Sequence, residues 1–268
     1  MKKLFSCKSK IFGVIMTCVV LISTISTTAF ADTASPTYKT PKISGHEYSF
    51  TSEVWTRYVP NVGYTVEAVA PIKADVNVPT GYMGGQARLY NSSGSLKASS
   101  SWTYNPSSTS AFFVYSSRIS TAGQYYAYNQ AEFYNGSGYT RYTGYQSPIQ
   151  TLSSSKSVST TETLEVINDL MLKTEYSVND KGETYGSALS EYTIGVEPDL
   201  ISAIGTNGVE GYVSADDLTP EVSSIKEALE QNGESGDIRT IPLYDADGTT
   251  VLGEFELLTS YELVADAN

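Results

Sequence analysis

Between residues 124 and 134 the chain alternates without a break. Tyr126, Tyr128, Gln130, Glu132 and Tyr134 fall on one side, and Tyr125, Ala127, Asn129, Ala131 and Phe133 on the other. A period of two sorts side chains onto opposite faces of an extended strand, which a helical period cannot do. Gly136-Ser137-Gly138 then turns the chain into a second extended run over 140–150. Segments 86–90 and 96–104 flank Asn91-Ser92-Ser93-Gly94, a hairpin signature, and further strands are expected over 48–58, 64–78 and 111–116. Seven or so short strands at this spacing, with no convincing helix, predict an antiparallel β-sandwich over 32–152. Its core is expected from Trp55, Val66, Val69, Leu89, Trp102, Phe112, Val114 and one Tyr/Phe face.

Composition changes at a polar stretch, Ser153-Ser154-Ser155-Lys156-Ser157, taken as a linker over 153–159. Before it, from Asp32, the chain carries 15 of its 21 tyrosines and a net charge of +2; after it the net charge is −18. Such a shift predicts a second domain, an acidic α+β module over 160–268. In it Ser159 and Glu162 form a capping box ahead of Leu164, Ile167, Leu170 and Met171 at helical spacing. Thr219-Pro220-Glu221 is expected to open another helix, with Val222, Ile225 and Leu229 as its apolar stripe and Gly233 as its stop. Segments 238–244 and 250–258 are expected to pair across Asp245-Ala246-Asp247-Gly248 as a type I′ turn. The fold class is therefore mostly β, a sandwich followed by a small α+β domain.

Residues 1–31 have the form of a secretory signal peptide: Lys2, Lys3, Lys8 and Lys10, an apolar run from Ile11, then Ala29-Phe30-Ala31 before Asp32. Both cysteines, Cys7 and Cys18, would leave with it, so the exported chain would hold no disulfide, and its net charge would move from −12 to −16. The expected location is extracellular, with no membrane association after cleavage.

This inventory narrows the chemistry. A pI near 4.5 argues against nucleic acid as a partner, since phosphates require a basic face. His46 is the sole histidine, which removes a Ser-His-Asp triad and histidine zinc sites, and it is taken as an isolated polar residue near the mature N-terminus. Asn179-Asp180-Lys181-Gly182 and Asp245-Ala246-Asp247-Gly248 lack the later ligands of a calcium loop and are taken as turns. No metal and no cofactor are expected, and no catalytic residue is assigned. The candidate ligand-binding residues are tyrosines on the alternating strand and its successor, Tyr126, Tyr128, Tyr134, Tyr139 and Tyr142. Tyrosine offers a large amphipathic surface at low entropic cost, suited to a sugar ring or a peptide.

The second half carries an ordered series of motifs. Tyr176-x-x-Asn179-x-x-Gly182-x-Thr184-Tyr185-Gly186-Ser187 is followed by Glu197-Pro198-Asp199-Leu200-Ile201. Then come Gly208-Val209-Glu210-Gly211-Tyr212-Val213, Asp217-Leu218, and Ile241-Pro242-Leu243-Tyr244-Asp245-x-Asp247-Gly248. Over about residues 174–258 the series resembles an extracytoplasmic module of Gram-positive secreted proteins, also found beside peptidase-type sensor proteins of the β-lactam-sensor kind. The resemblance implies no peptidase activity, because the zinc-binding helix of those proteins belongs to another domain. The combined expectation is a secreted, non-catalytic protein that binds a cell-wall glycan or an extracellular protein. A bacteriocin-like antagonist is the alternative, and a carboxylate-based hydrolase a third.

Overall fold

The computed structural model describes residues 32–153 and 160–264. The signal peptide expected over 1–31 lies outside the described residues, as do Ser159 and all of the expected linker after Ser153. The described chain is mostly β, as its alternation requires.

The first layer is an outer sheet built on the long strand Gly63–Val78, which pairs with Glu53–Val59 on one side and Thr109–Tyr115 on the other. The alternation of these strands sends Val54, Val66, Ala68, Ala70, Ile72, Phe112 and Val114 inward. They meet Leu89, Ala98, Tyr125 and Ala127 of a long sheet and Met83, Ala131 and Phe133 of a short one, closing a sandwich core. Val69, Leu89 and Trp102 are buried as expected, but Trp55 is not in the core. Val54 and Thr56 take the inward parity of that strand, so Trp55 points outward.

The expected single strand over 124–134 is two strands, Gly123–Ala127 in the long sheet and Gln130–Tyr134 in the short sheet. Two neighbouring segments bend at the same corner: Met83–Gln86 passes into Arg88–Asn91, and Leu96–Ser100 into Thr103–Tyr104. Side chains replace ladder partners there. Ala87 N donates to Ser100 Oγ and Arg88 N to Asn129 Oδ1, each at 2.9 Å, while Asn129 Nδ2 donates to Val69 O at 2.6 Å. The chain thus turns a corner without stranding buried N–H groups.

Beyond the seam, Leu200–Ile204, Glu210–Ser214, Ile238–Tyr244 and Val251–Leu258 form an antiparallel succession. Its two ends are joined by a strand from the first half. Leu96–Ser100 runs parallel to both, pairing Leu96 with Ala203 and Ser99 with Leu257, and so closes a five-stranded barrel. Leu96, Ile201, Ala203, Val213, Ile241, Leu243, Phe255 and Leu257 fill it. The terminal strand Tyr261–Leu263 returns to the edge of the outer sheet beside Thr109–Tyr115. The two halves expected as separate domains are therefore one compact unit in the described residues. The second half lacks a strand that only the first supplies.

Local punctuation also differs in detail. The helix expected from Thr219 begins at Ile225, where Ser224 Oγ accepts from Glu227 N and the Glu227 carboxylate accepts from Ser223 N. Thr219 instead ends the short helix Ala215–Leu218. Gly248 N donates to Asp245 O, and positive φ falls on Gly248 alone (66°), so the turn is not type I′ but a type I turn with a left-handed glycine after it. Asp247 secures it by accepting from Thr249 N, Thr250 N and Thr250 Oγ1. His46 is not isolated: it pairs with Ile43 through both backbone groups and lies 3.6 Å from Asp75.

Candidate functional site

The five candidate tyrosines do not share one exposed face. Tyr126 and Tyr128 are 0% and 5% exposed and belong to the second core, under Ile167, Leu189 and the barrel residues. Burial pushes the Tyr126 phenol well above its usual value. The surface expected to meet a ligand is covered by the chain's own second half. An aromatic residue buries about 150–250 Å², worth several kcal/mol at about 25 cal/mol per Å², so this face serves as an internal interface. Tyr134 and Tyr139 are cross-strand partners on the short sheet, half-buried with ring centroids 5.7 Å apart. Tyr142, paired with Ala131, takes the opposite parity and packs between Tyr38 and Phe133.

A different aromatic group faces outward. Trp55, Phe113 and Tyr115 stand on the outer sheet with Trp55 edge-on to both others, at 6.0 and 5.7 Å. The Trp55 indole donates Nε1–H to Glu53 Oε2 at 2.7 Å, which fixes the ring. The Arg57 guanidinium lies 4.3 Å from its centroid and is held there by Asp32, at 3.0 Å. Tyr115 donates its hydroxyl to Glu262 at 3.1 Å, and Arg118 Nε donates to the buried Glu67 at 3.0 Å. Trp55, Arg57, Glu67, Tyr115, Arg118, Tyr261 and Glu262 line an open cleft of about 470 Å³, with Phe113 packed edge-on against Trp55 outside the lining. Burial and Glu262 both raise the Tyr115 phenol, which stays a neutral donor. The lining holds two guanidinium and two carboxylate groups, so its formal charge cancels. Sequence reasoning missed the cleft because it assigned Trp55 to the core by hydrophobicity; the parity of Glu53–Val59 was the available signal.

A second charged group lies inside the molecule. Arg88 is fully buried, bonds Gln86 Oε1 through Nε at 2.7 Å and forms an ion pair with Glu197 from the other half. Burial works against its charge and Glu197 outweighs that penalty. Nearby, Thr143 Oγ1 contacts both oxygens of Glu191 at 3.0 Å and accepts from Gln130 Nε2 at 3.2 Å. Desolvation and the adjacent Glu197 raise the Glu191 carboxyl to about 7, against the pull of Thr143, Arg88 and Arg141. On the short sheet Glu132 accepts from Tyr104 and, at 3.0 Å, from Arg141, whose guanidinium lies 4.8 Å from the Trp102 ring centroid. The Arg88–Glu197 ion pair and the Thr143–Glu191 hydrogen bond cross the seam between the halves, whereas the Glu132–Arg141 pair lies within the first half.

Among the described residues, no group of three or more His, Cys, Asp or Glu side chains is arranged to hold a metal ion, and no helix is long and apolar enough to cross a membrane. No protein-family model, no curated protein and no solved structure matches the chain.

Proposed function

We propose that this chain is a secreted, non-catalytic binding protein that holds a glycan, at or outside the cell wall, in the Trp55 cleft. The observation that carries the reading is the outward aromatic group Trp55–Phe113–Tyr115 at a charge-balanced cleft. A sugar ring offers apolar C–H patches to aromatic rings and hydroxyl groups to guanidinium donors and carboxylate acceptors, and this lining supplies all three. The cleft volume of about 470 Å³ suits one or two rings. A non-catalytic role is favoured because the buried carboxylates Glu67 and Glu132 and the partly buried Glu197 are each engaged by an arginine. Glycoside hydrolysis would need one protonated and one ionised carboxyl flanking a substrate, and the pair of that kind, Glu191 beside Glu197, is not among the residues that line the Trp55 cleft.

The test is binding of the purified protein to a glycan array and to cell-wall polysaccharide. We expect Trp55→Ala and Tyr115→Ala each to weaken binding by about tenfold or more, the loss typical of a hot-spot aromatic. Binding that both variants leave intact would place the ligand elsewhere. A protein captured in place of glycans, inhibition of related strains, or turnover of the polysaccharide would each replace the proposal by a different reading.

A further inference from the structure

The strand pair Glu53–Val59 and Gly63–Val78 runs past the core that covers its middle. Tyr58 and Tyr64 are cross-strand partners on the same parity as the buried Val54, Thr56 and Val66. They are nevertheless 65% and 49% exposed, with ring centroids 5.4 Å apart and edge to face. Beyond them the chain reverses through Pro60-Asn61. Val62 N donates to Val59 O at 3.1 Å, and Asn61 takes a φ of 66°, as the third residue of a type II turn does. Val62 is 58% exposed. The tip is therefore preformed and uncovered.

Its side chains are ordered by polarity along the hairpin. Residues 58–66 carry no charge. Val59, Pro60 and Val62 stand beyond the tyrosine pair. Behind the pair comes Arg57, whose guanidinium turns back over the Trp55 ring and is held by Asp32. Glu67, on the other strand, is buried and paired with Arg118. Apolar groups first, tyrosines next and charges last is the order in which a bilayer surface accepts side chains. From the tyrosines to Pro60 is about two residues, or about 7 Å of strand, within the depth of about 5–10 Å at which surface-bound segments lie. A protein partner fits less well. The uncovered parts of two tyrosines and a valine amount to on the order of 300 Å², well below the roughly 800 Å² per partner of a specific protein interface.

We propose that the Tyr58–Tyr64 hairpin docks the protein on a lipid bilayer by entering the headgroup boundary of one leaflet. The contact needs no spanning segment, and it adds a membrane surface to a chain expected to have none. The uncharged tip and the net charge of −12 point to zwitterionic lipid. The Trp55 cleft opens on the opposite face of the same strands, so the contact is independent of glycan binding.

The experiment is flotation with phosphatidylcholine vesicles of the chain from Asp32, which excludes the apolar leader. The expected result is binding that rises with lipid up to about 10 mM, a range covering weak association, and that added salt does not reduce. Val62→Asp, and separately Tyr58→Ser with Tyr64→Ser, should each lower the partition coefficient about tenfold or more. Val62→Asp should leave glycan binding intact, which separates this contact from the cleft. No flotation at about 10 mM lipid, or flotation that both variants retain, overturns the proposal. So does binding that requires phosphatidylglycerol, since the tip has no cation to offer. Self-association that the variants abolish, without vesicle binding, would make a second copy of the chain the occupant instead.

Discussion

Glu191 is the residue through which solution pH reaches the seam. Desolvation and Glu197 raise its folded-state value to about 7, from 4.5 for the free side chain. The folded protein therefore binds this proton more tightly than the unfolded chain. The resulting stabilisation is fully present below about pH 4.5 and is lost as pH rises through about 7. Glu191→Gln mimics the protonated carboxyl and keeps an acceptor for Thr143. We expect the variant to match the parent near pH 4.5 and exceed it near pH 8, by on the order of 2–3 kcal/mol. Urea titrations at the two pH values check this, and a difference that does not change with pH would contradict the assignment. Nothing in the sequence singled Glu191 out among the acids of the second half, because its shift comes from desolvation and from Glu197, both imposed by folding, against the opposing pull of Thr143 and Arg88. Arg88 was a stronger hint: a lone charge beside Leu89 and Tyr90 in an extended run needs a buried partner or an outward face.

At the scale of elements, the strand Leu96–Ser100 has two roles. It pairs with Arg88–Asn91 in the first half and closes the barrel of the second, and Leu96 is fully buried in the barrel core. Leu96→Ala should cost about 2–5 kcal/mol, the range for truncating a buried leucine. Urea denaturation measures the loss, and a value near zero would mean that this strand does not hold the barrel shut. The hairpin around Asn91-Ser92-Ser93-Gly94 was legible because its signal is local. Asn91 Oδ1 accepts from Ser93 N and Ser95 N, and Gly94 takes φ of 80°. The barrel closure was not legible, since a parallel pairing with residues 200–204 and 251–258 leaves no mark in the hairpin itself. The helix start at Ile225 was missed for a related reason: Thr219-Pro220-Glu221 and Ser224-Ile225-Lys226-Glu227 both carry start signals, and only packing chooses between them.

For the whole molecule, the shared strand and the covered tyrosine face predict one cooperative unit. Both tryptophans lie in the first half, so their fluorescence reports that half, whereas far-UV circular dichroism reports the whole chain. The two signals should trace a single coincident thermal transition, and two separated transitions would show that the halves fold independently. A fragment ending at Ser153 would uncover Tyr90, Leu96, Tyr126 and Tyr128, all at most 5% exposed in the intact chain. It should bind hydrophobic dyes and self-associate, and a soluble, dye-silent monomer would refute the interdependence.

The alternating pattern by itself determined that the chain is mostly β, which residues of the outer sheet point inward at Val66, Phe112 and Val114, and where the turns fall. These follow from local geometry, the two-residue period and the conformational needs of Asn and Gly. It also marked residues 124–134 as two-sided, without showing what covers each side. Tertiary structure alone decided that the second half covers Tyr126 and Tyr128 and that the compositional seam is not a fold boundary. Which face of a strand meets solvent depends on the surface packed against it, and that surface comes from residues distant in the chain, such as Ile167, Leu189 and Leu257 over Tyr126.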